Sequence, residues 1–280
     1  MPFKRPLRPL FRAAVLVIAA AAPSSVQAGD DFGLWTDVSA ERKISKRFSV
    51  EAGLDFRAEQ QLRDASRWSL SAGGSYKATD FLKLAAGYAF IRDHSPMEGK
   101  VNYTQKGKVN GYNVDHSFWR SKHRAYFDVT GKLRLGRFGL GLRERYQYTH
   151  YMATTIGRDR YRDAMQPGYT GTVYEWNGEQ FMELTHGTDD KRAKDAHYLR
   201  SRLQIEYNIR RCPVDPFASY ELSNNLSDAM HLDKTRLTVG AEWKIQKKHV
   251  ISLAYIYQNG HDDDDDDDIH VIDLGYKFKF

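Results

Sequence analysis

The sequence predicts an all-β protein: an antiparallel transmembrane β-barrel of about 10–12 strands with long polar outer loops. Three observations predict it. Stretches of ten or more residues alternate apolar and polar side chains, the connections between them alternate short and long, and the last segment, "HVIDLGYKFKF", stops in mid-alternation on Phe280. Alternation over about ten residues marks a strand with one face on lipid and the other on a polar interior. A soluble sandwich alternates too. It does not explain the charge on faces that would point inward, or a last strand left with an uncovered edge.

The first segment is a leader. Lys4, Arg5, Arg8 and Arg12 form a basic head, Ala13 to Ala22 an apolar run too short to anchor, and Val26-Gln27-Ala28 a small-residue cleavage site. Residues 1–28 are expected as a signal peptide and 29–280 as one outer-membrane barrel domain, which is 280 less 28 residues. Removing the leader's four basic residues takes the formal charge from +6 to +2, so basicity gives no reason to expect nucleic acid. Cys212 is the only cysteine, so no internal disulfide is available, and no cysteine stands at the cleavage point to carry a lipid anchor. Mean hydropathy is −0.64 despite 17 Tyr and 14 Phe, as suits strands whose alternate residues meet different solvents.

Strands are expected at 33–45, 48–60, 66–78, 81–93, 119–134, 137–150, 197–211, 216–225, 233–246, 249–259 and 269–280. In "FSVEAGLDFRAE", Phe48, Val50, Ala52, Leu54 and Phe56 oppose Glu51, Asp55 and Arg57. "RWSLSAGGSYKA" sets Trp68, Leu70 and Tyr76 against Arg67 and Lys77, and "RAYFDVTGKL" sets Phe127, Val129 and Leu133 against Arg124 and Asp128. "YLRSRLQIEYNI" places Leu199, Leu203 and Ile205 opposite Arg200, Arg202 and Glu206; Leu237 to Trp243 and Ile251 to Tyr257 continue the pattern. The count is eleven. Bacterial single-chain barrels are even, so the expectation is ten, with the first segment outside the wall, or twelve, with one strand unrecognised.

Short connections at "SKRF", "ATDF", "RLGR", "RCPVDP" and "QKKH" alternate with polar ones at "QLRDA", residues 94–118, residues 151–196, "NNLSDAMHL" and "NGHDDDDDDD". Inside the longest, "VYEWNGEQFMEL" reads as a hairpin turning at Asn177-Gly178. Closure into a barrel removes the edge problem of the final strand.

The last eight residues, "DLGYKFKF", resemble the C-terminal assembly signal of outer-membrane proteins. The resemblance rests on Gly275, Phe278 and the terminal Phe280, which implies recognition by the barrel-assembly machinery. More widely, "FGLW" (32–35), "SYK" (75–77), "AGY" (86–88), "RERYQY" (143–148), "LRSRLQIEY" (199–207), "PFASYEL" (216–222), "KTRLTVG" (234–240) and "GYKFKF" resemble a family of outer-membrane proteins known as a domain of unknown function. That resemblance implies a barrel and its location, and no activity.

The inward set carries both signs. Glu51, Asp55, Asp128, Glu206, Glu242 and Asp273, with Asp37, Glu41, Glu59 and Glu221, are expected to face Arg57, Arg67, Arg124, Arg143, Arg145, Arg200, Arg202 and Arg236, with Lys83. In so small a barrel they form a paired lumen charge network, or, in a sharper reading, an arginine ladder that selects anions. Asp262, Asp263, Asp264, Asp265, Asp266, Asp267 and Asp268 lie in the last outer loop. They lack the spacing and turn glycine of a calcium loop, so no specific metal is expected; divalent cations at the lipopolysaccharide surface are the partners such a run would attract.

Ser121, His123 and His150 are the candidates for the rival reading, a hydrolase acting on outer-membrane lipid. A hairpin turning at Leu135-Gly136 would set Ser121 opposite His150. No third group is placed to orient the base, since outward-facing Glu144 is about 13 Å from Tyr148 along the strand. Glu144 points at lipid near mid-strand and calls for a bulge, a proton or a protein contact, the bulge first. The expectation is therefore a narrow, charged-lumen passive channel or a structural or surface protein, without catalysis or cofactor. Its partners are outer-membrane lipid and lipopolysaccharide.

Overall fold

The computed structural model describes residues 31–260 and 268–280. The expected leader and the run Asp262 to Asp267 lie outside the described residues. Those residues form sixteen strands: β1 (Asp31–Lys43), β2 (Phe48–Glu59), β3 (Asp64–Lys77), β4 (Leu82–Ser95), β5 (Glu98–Tyr103), β6 (Val109–Asp115), β7 (Phe118–Leu135), β8 (Phe138–Tyr151), β9 (Thr154–Ala164), β10 (Tyr174–Trp176), β11 (Glu179–Lys191), β12 (Lys194–Tyr207), β13 (Val214–Asn225), β14 (His231–Ile245), β15 (His249–Gly260) and β16 (Ile269–Lys279).

Eleven strands close a barrel in the order β1-β16-β15-β14-β13-β12-β8-β7-β4-β3-β2. They are the eleven segments that alternation predicts, so the expectation that one was superfluous or one missing is corrected. The physical reason is the seam. β1 pairs with β16 in parallel, from Asp31 beside Ile269 to Glu41 beside Lys279. An even count is needed only when every neighbouring pair is antiparallel; one parallel pair lets an odd number close. The Phe280 amide donates to the Glu41 carbonyl (3.0 Å) and the Lys43 amide to the Phe280 carbonyl (3.3 Å), so the terminal residue belongs to the wall.

Period-two alternation survives closure. Leu54 lies opposite Leu70 and Val38 opposite Leu54, all more than half exposed on the outward face. On the inward face Ser39, Ser69, Asp128, Ser219 and Glu221 are buried. Between β2 and β3, Gln60, Gln61 and Leu62 all hold left-handed backbone (φ 54°, 57° and 65°). The Asp31 carboxylate accepts from the Gln60 and Gln61 amides (both 2.9 Å), which offsets part of the strain.

The chain divides into two compact units rather than one, a first of residues up to Ile91, 123–149 and from Asp195 on, and a second of residues 92–122 and 150–194. The second contains a five-stranded sheet, β10-β11-β9-β6-β5, in segments the sequence suggests as polar loops. Its core is Tyr112, Val114, Tyr161 and Phe181. Gly111 is obligatory there: its φ is +86° and a Cβ would fall 1.9 Å from the Tyr161 carbonyl oxygen. The expected hairpin is present, with Asn177 (φ 51°) and Gly178 (φ 77°) between β10 and β11.

Candidate functional site: the charged barrel interior

The inward positions of β7, β8, β12, β13 and β14 bring several of the predicted lumen residues together. Glu221, 6 % exposed, is the hub. Arg143 donates Nη2 to Glu221 Oε2 at 2.5 Å, and Arg200 donates Nη2 and Nε to Oε1, the latter at 3.2 Å. Arg200 also reaches the Gln147 Oε1 (3.2 Å), Gln147 donates to Thr149 (3.4 Å), and Arg124 donates to the same hydroxyl (3.4 Å). Arg145 grips Asp128 with two bonds, 2.6 and 2.8 Å, and lies 4.1 Å from the centre of the Tyr126 ring. Tyr126 has room because Gly87 stands beneath it, where a Cβ would meet its hydroxyl at 2.4 Å. These are charge-assisted bonds across a lumen that side chains fill.

Other predicted residues are distributed by register. Arg57 bonds Asp55 (3.2 Å) and lies opposite Arg67. Asp37 lies opposite Asp55 and Glu41 opposite Glu51, whose carboxylate accepts from Lys277 at 3.0 Å. Glu206 occupies the space over Gly139, and Glu242 is 3.9 Å from Lys244. Arg236 donates to Gln258 (2.6 Å) and stands 3.9 Å from Glu221. Among the described residues Arg202 and Asp273 make no hydrogen bond or ion pair; both line a cavity of about 250 Å³ beside Trp35.

Trp35 is the interior residue that sequence reasoning passed over. Its phase signals it, since it stands two residues before inward Asp37. It donates to Glu59 (3.0 Å), and the guanidinium carbons of Arg57 and Arg236 lie 3.8 and 4.8 Å from its ring centre.

The predicted Ser121 does not stand opposite His150 as the hairpin argument requires. The turn between β7 and β8 is Gly136-Arg137, with Gly136 at φ +63°, and the Ser121 carbonyl accepts from the Met152 amide (3.0 Å) instead of aligning with His150. Ser121, in the second unit, accepts from Arg92 (3.3 Å). His123, in the first, shares a 2.5 Å bond with the Tyr88 hydroxyl through Nδ1, and His150 lies half-buried on β8. Glu144, for which a bulge stood first, is met by a protein contact: Ser201 of β12 donates to it at 2.6 Å. Of the seven aspartates only Asp268 is described, and it accepts from Tyr257 and from Asn259 (2.5 Å). Gly275 faces inward, with Asp37 closing the space a Cβ would need, while Phe278 and Phe280 stack at 5.5 Å.

In the second unit, Asp115 is buried and accepts from Arg158 (2.5 Å) and Lys191 (2.7 Å). Burial alone would push its carboxyl up, but the two cations hold it below the usual aspartate range.

A closed barrel with an outward apolar face and a salt-bridged interior defines the class: a β-barrel whose polar groups are turned inward. The chain matches the family described as protein of unknown function (DUF2490) over residues 32–269, and it belongs to that family. Among curated proteins none matches. Among solved structures it is similar to the β domain of the Bordetella autotransporter BrkA, at 10% identity over 89% of this chain and 96% of that one, with a TM-score of 0.47. It is also similar to the Ralstonia pickettii toluene transporter TbuX, at 13% identity over 83% and 78%, with a TM-score of 0.36.

Proposed function

We propose that the protein is an integral outer-membrane barrel with a narrow, charged lumen, acting as a passive channel of very low conductance or as a structural or surface protein, without catalysis. The observation that carries this reading is its inverted polarity. Leu54 and Leu70 are 60 % and 54 % exposed on the outward face, while Glu221 and Asp128 are each 6 % exposed inside. In water the outward leucines would forgo roughly 25 cal/mol per Å² of apolar area left uncovered. In lipid that face is at home, and the closed hydrogen-bonded wall leaves no backbone edge.

The leader at 1–28 supports export, and the terminal "GYKFKF" supports recognition by the assembly machinery. Outer-membrane lipid and lipopolysaccharide are then the surroundings, with divalent cations drawn to the aspartate run. Planar-bilayer recording tests the channel reading. Small or no steady conductance is expected from the natural chain, and a rise when Arg143, Arg145, Arg200 and Arg202 are replaced by serine. Large, stable channels unaffected by that change would make a general porin the better reading.

A further inference from the structure

The cavity beside Trp35 has arginines on its wall whose donors are not all met. Arg57, Arg202 and Arg236 line it, and each guanidinium carries five N–H donors and no acceptor. The carboxylates near them are already engaged: Glu221 uses one oxygen for Arg200 and the other for Arg143, and Asp55 bonds Arg57. Arg236 Nε is buried without a partner, and Arg202 has neither hydrogen bond nor ion pair among the described residues. Arg57 also faces Arg67 directly across the β2–β3 ladder. Asp273 is the remaining acid on the cavity wall, on the strand beside Trp35.

Three guanidiniums, those of Arg57, Arg202 and Arg236, line the cavity with three carboxylates, those of Asp55, Glu221 and Asp273, and Arg143 and Arg200 bond Glu221 from outside the lining. Water could accept their hydrogen bonds, and a cavity of about 250 Å³ has room for it, but water does not balance charge. We propose that this cavity is a binding site for a small oxyanion, a phosphate or carboxylate group held by Arg202 and Arg236. A planar fork suits either group through paired N–H bonds. Trp35 fixes Arg236 by stacking, so the site is partly formed before the anion arrives.

The inference deepens the charged-lumen reading and rests on the closed interior, not on conduction. The full chain, folded in zwitterionic detergent, is titrated by calorimetry with inorganic phosphate and, separately, with succinate, at ionic strength held constant with chloride. Saturable binding of at least one is expected; the stronger arm tells phosphate from carboxylate. Arg202→Gln, which breaks no described bond and leaves the heat-modifiable gel shift of the folded barrel in place, should weaken binding at least tenfold. Arg202→Lys, which keeps the charge without the fork, should fall between. Absence of saturable binding by either anion, or equal affinity in Arg202→Gln and the natural chain, overturns the site. A bilayer silent for both the natural chain and the four-serine variant, with saturable titration of the natural chain, would leave the site standing while removing the channel.

Discussion

The side chains that matter most are those whose partners are irreplaceable. Ser201 is a single hydroxyl on the outward face, yet it is the donor for Glu144 (2.6 Å) where water is scarce. Ser201→Ala should therefore destabilise the barrel by about 1–3 kcal/mol, read as a lower urea midpoint in lipid vesicles. Adding Glu144→Leu should restore the midpoint, because removing both partners leaves nothing unsatisfied; an unchanged midpoint in Ser201→Ala would sink this account. Glu221→Gln should cost more, about 3–5 kcal/mol in the same measurement, since it leaves Arg143 and Arg200 buried without their counter-charge. Parity alone told which of these residues face inward. It could not tell that Arg200 reaches Glu221 and Gln147 while Arg202, two residues on, reaches neither, because that depends on the height at which β8, β12 and β13 meet.

Among the strands, the seam of β1 and β16 is the unusual one. Ala40 stands beside Phe278 in parallel register. In a chain with Cys212→Ser, the pair Ala40→Cys and Phe278→Cys should form a disulfide, visible as a gel shift reversed by thiol. Ala40→Cys with Leu274→Cys should not, being displaced four residues, about 13 Å along the strand. The opposite result would mean that the seam does not have the register described. The eleven wall strands were legible because each offers about ten alternating residues. Strands β5, β6 and β9 were not, whereas β10 and the start of β11 were, from the hairpin at Asn177-Gly178. β6 is seven residues long and contains Gly111 in left-handed backbone, which breaks the alternating pattern, and "RDRYRDA" of β9 places charge on both faces.

At the scale of the whole molecule, two units imply two separately measurable stabilities. The second is tied by Asp115 to Arg158 and Lys191, contacts separated by 43 and 76 residues and therefore invisible to local sequence reading. Because the folded Asp115 carboxyl titrates below its ordinary range, its contribution is fully present above about pH 4 and is lost as pH falls through the folded value. Acidification should make residues 92–122 and 150–194 more susceptible to pepsin, and Asp115→Asn should remove that part of the acid sensitivity while leaving the unit weaker at neutral pH. Identical acid profiles for the two chains would exclude Asp115 as the source.

The parallel seam also decides topology. Asp31 begins the wall level with Ile269, at the rim where β15 gives way to β16, whereas Phe280 ends it at the rim of the turn between β1 and β2. An even-stranded barrel returns both ends to one side; this one keeps them on opposite sides. If the wall spans a membrane, whatever is fused just before Asp31 has to be carried across during assembly, and a tag placed there should bind antibody on intact cells when a tag after Phe280 does not. In such a membrane the odd strand would make the start of the wall a point of surface display.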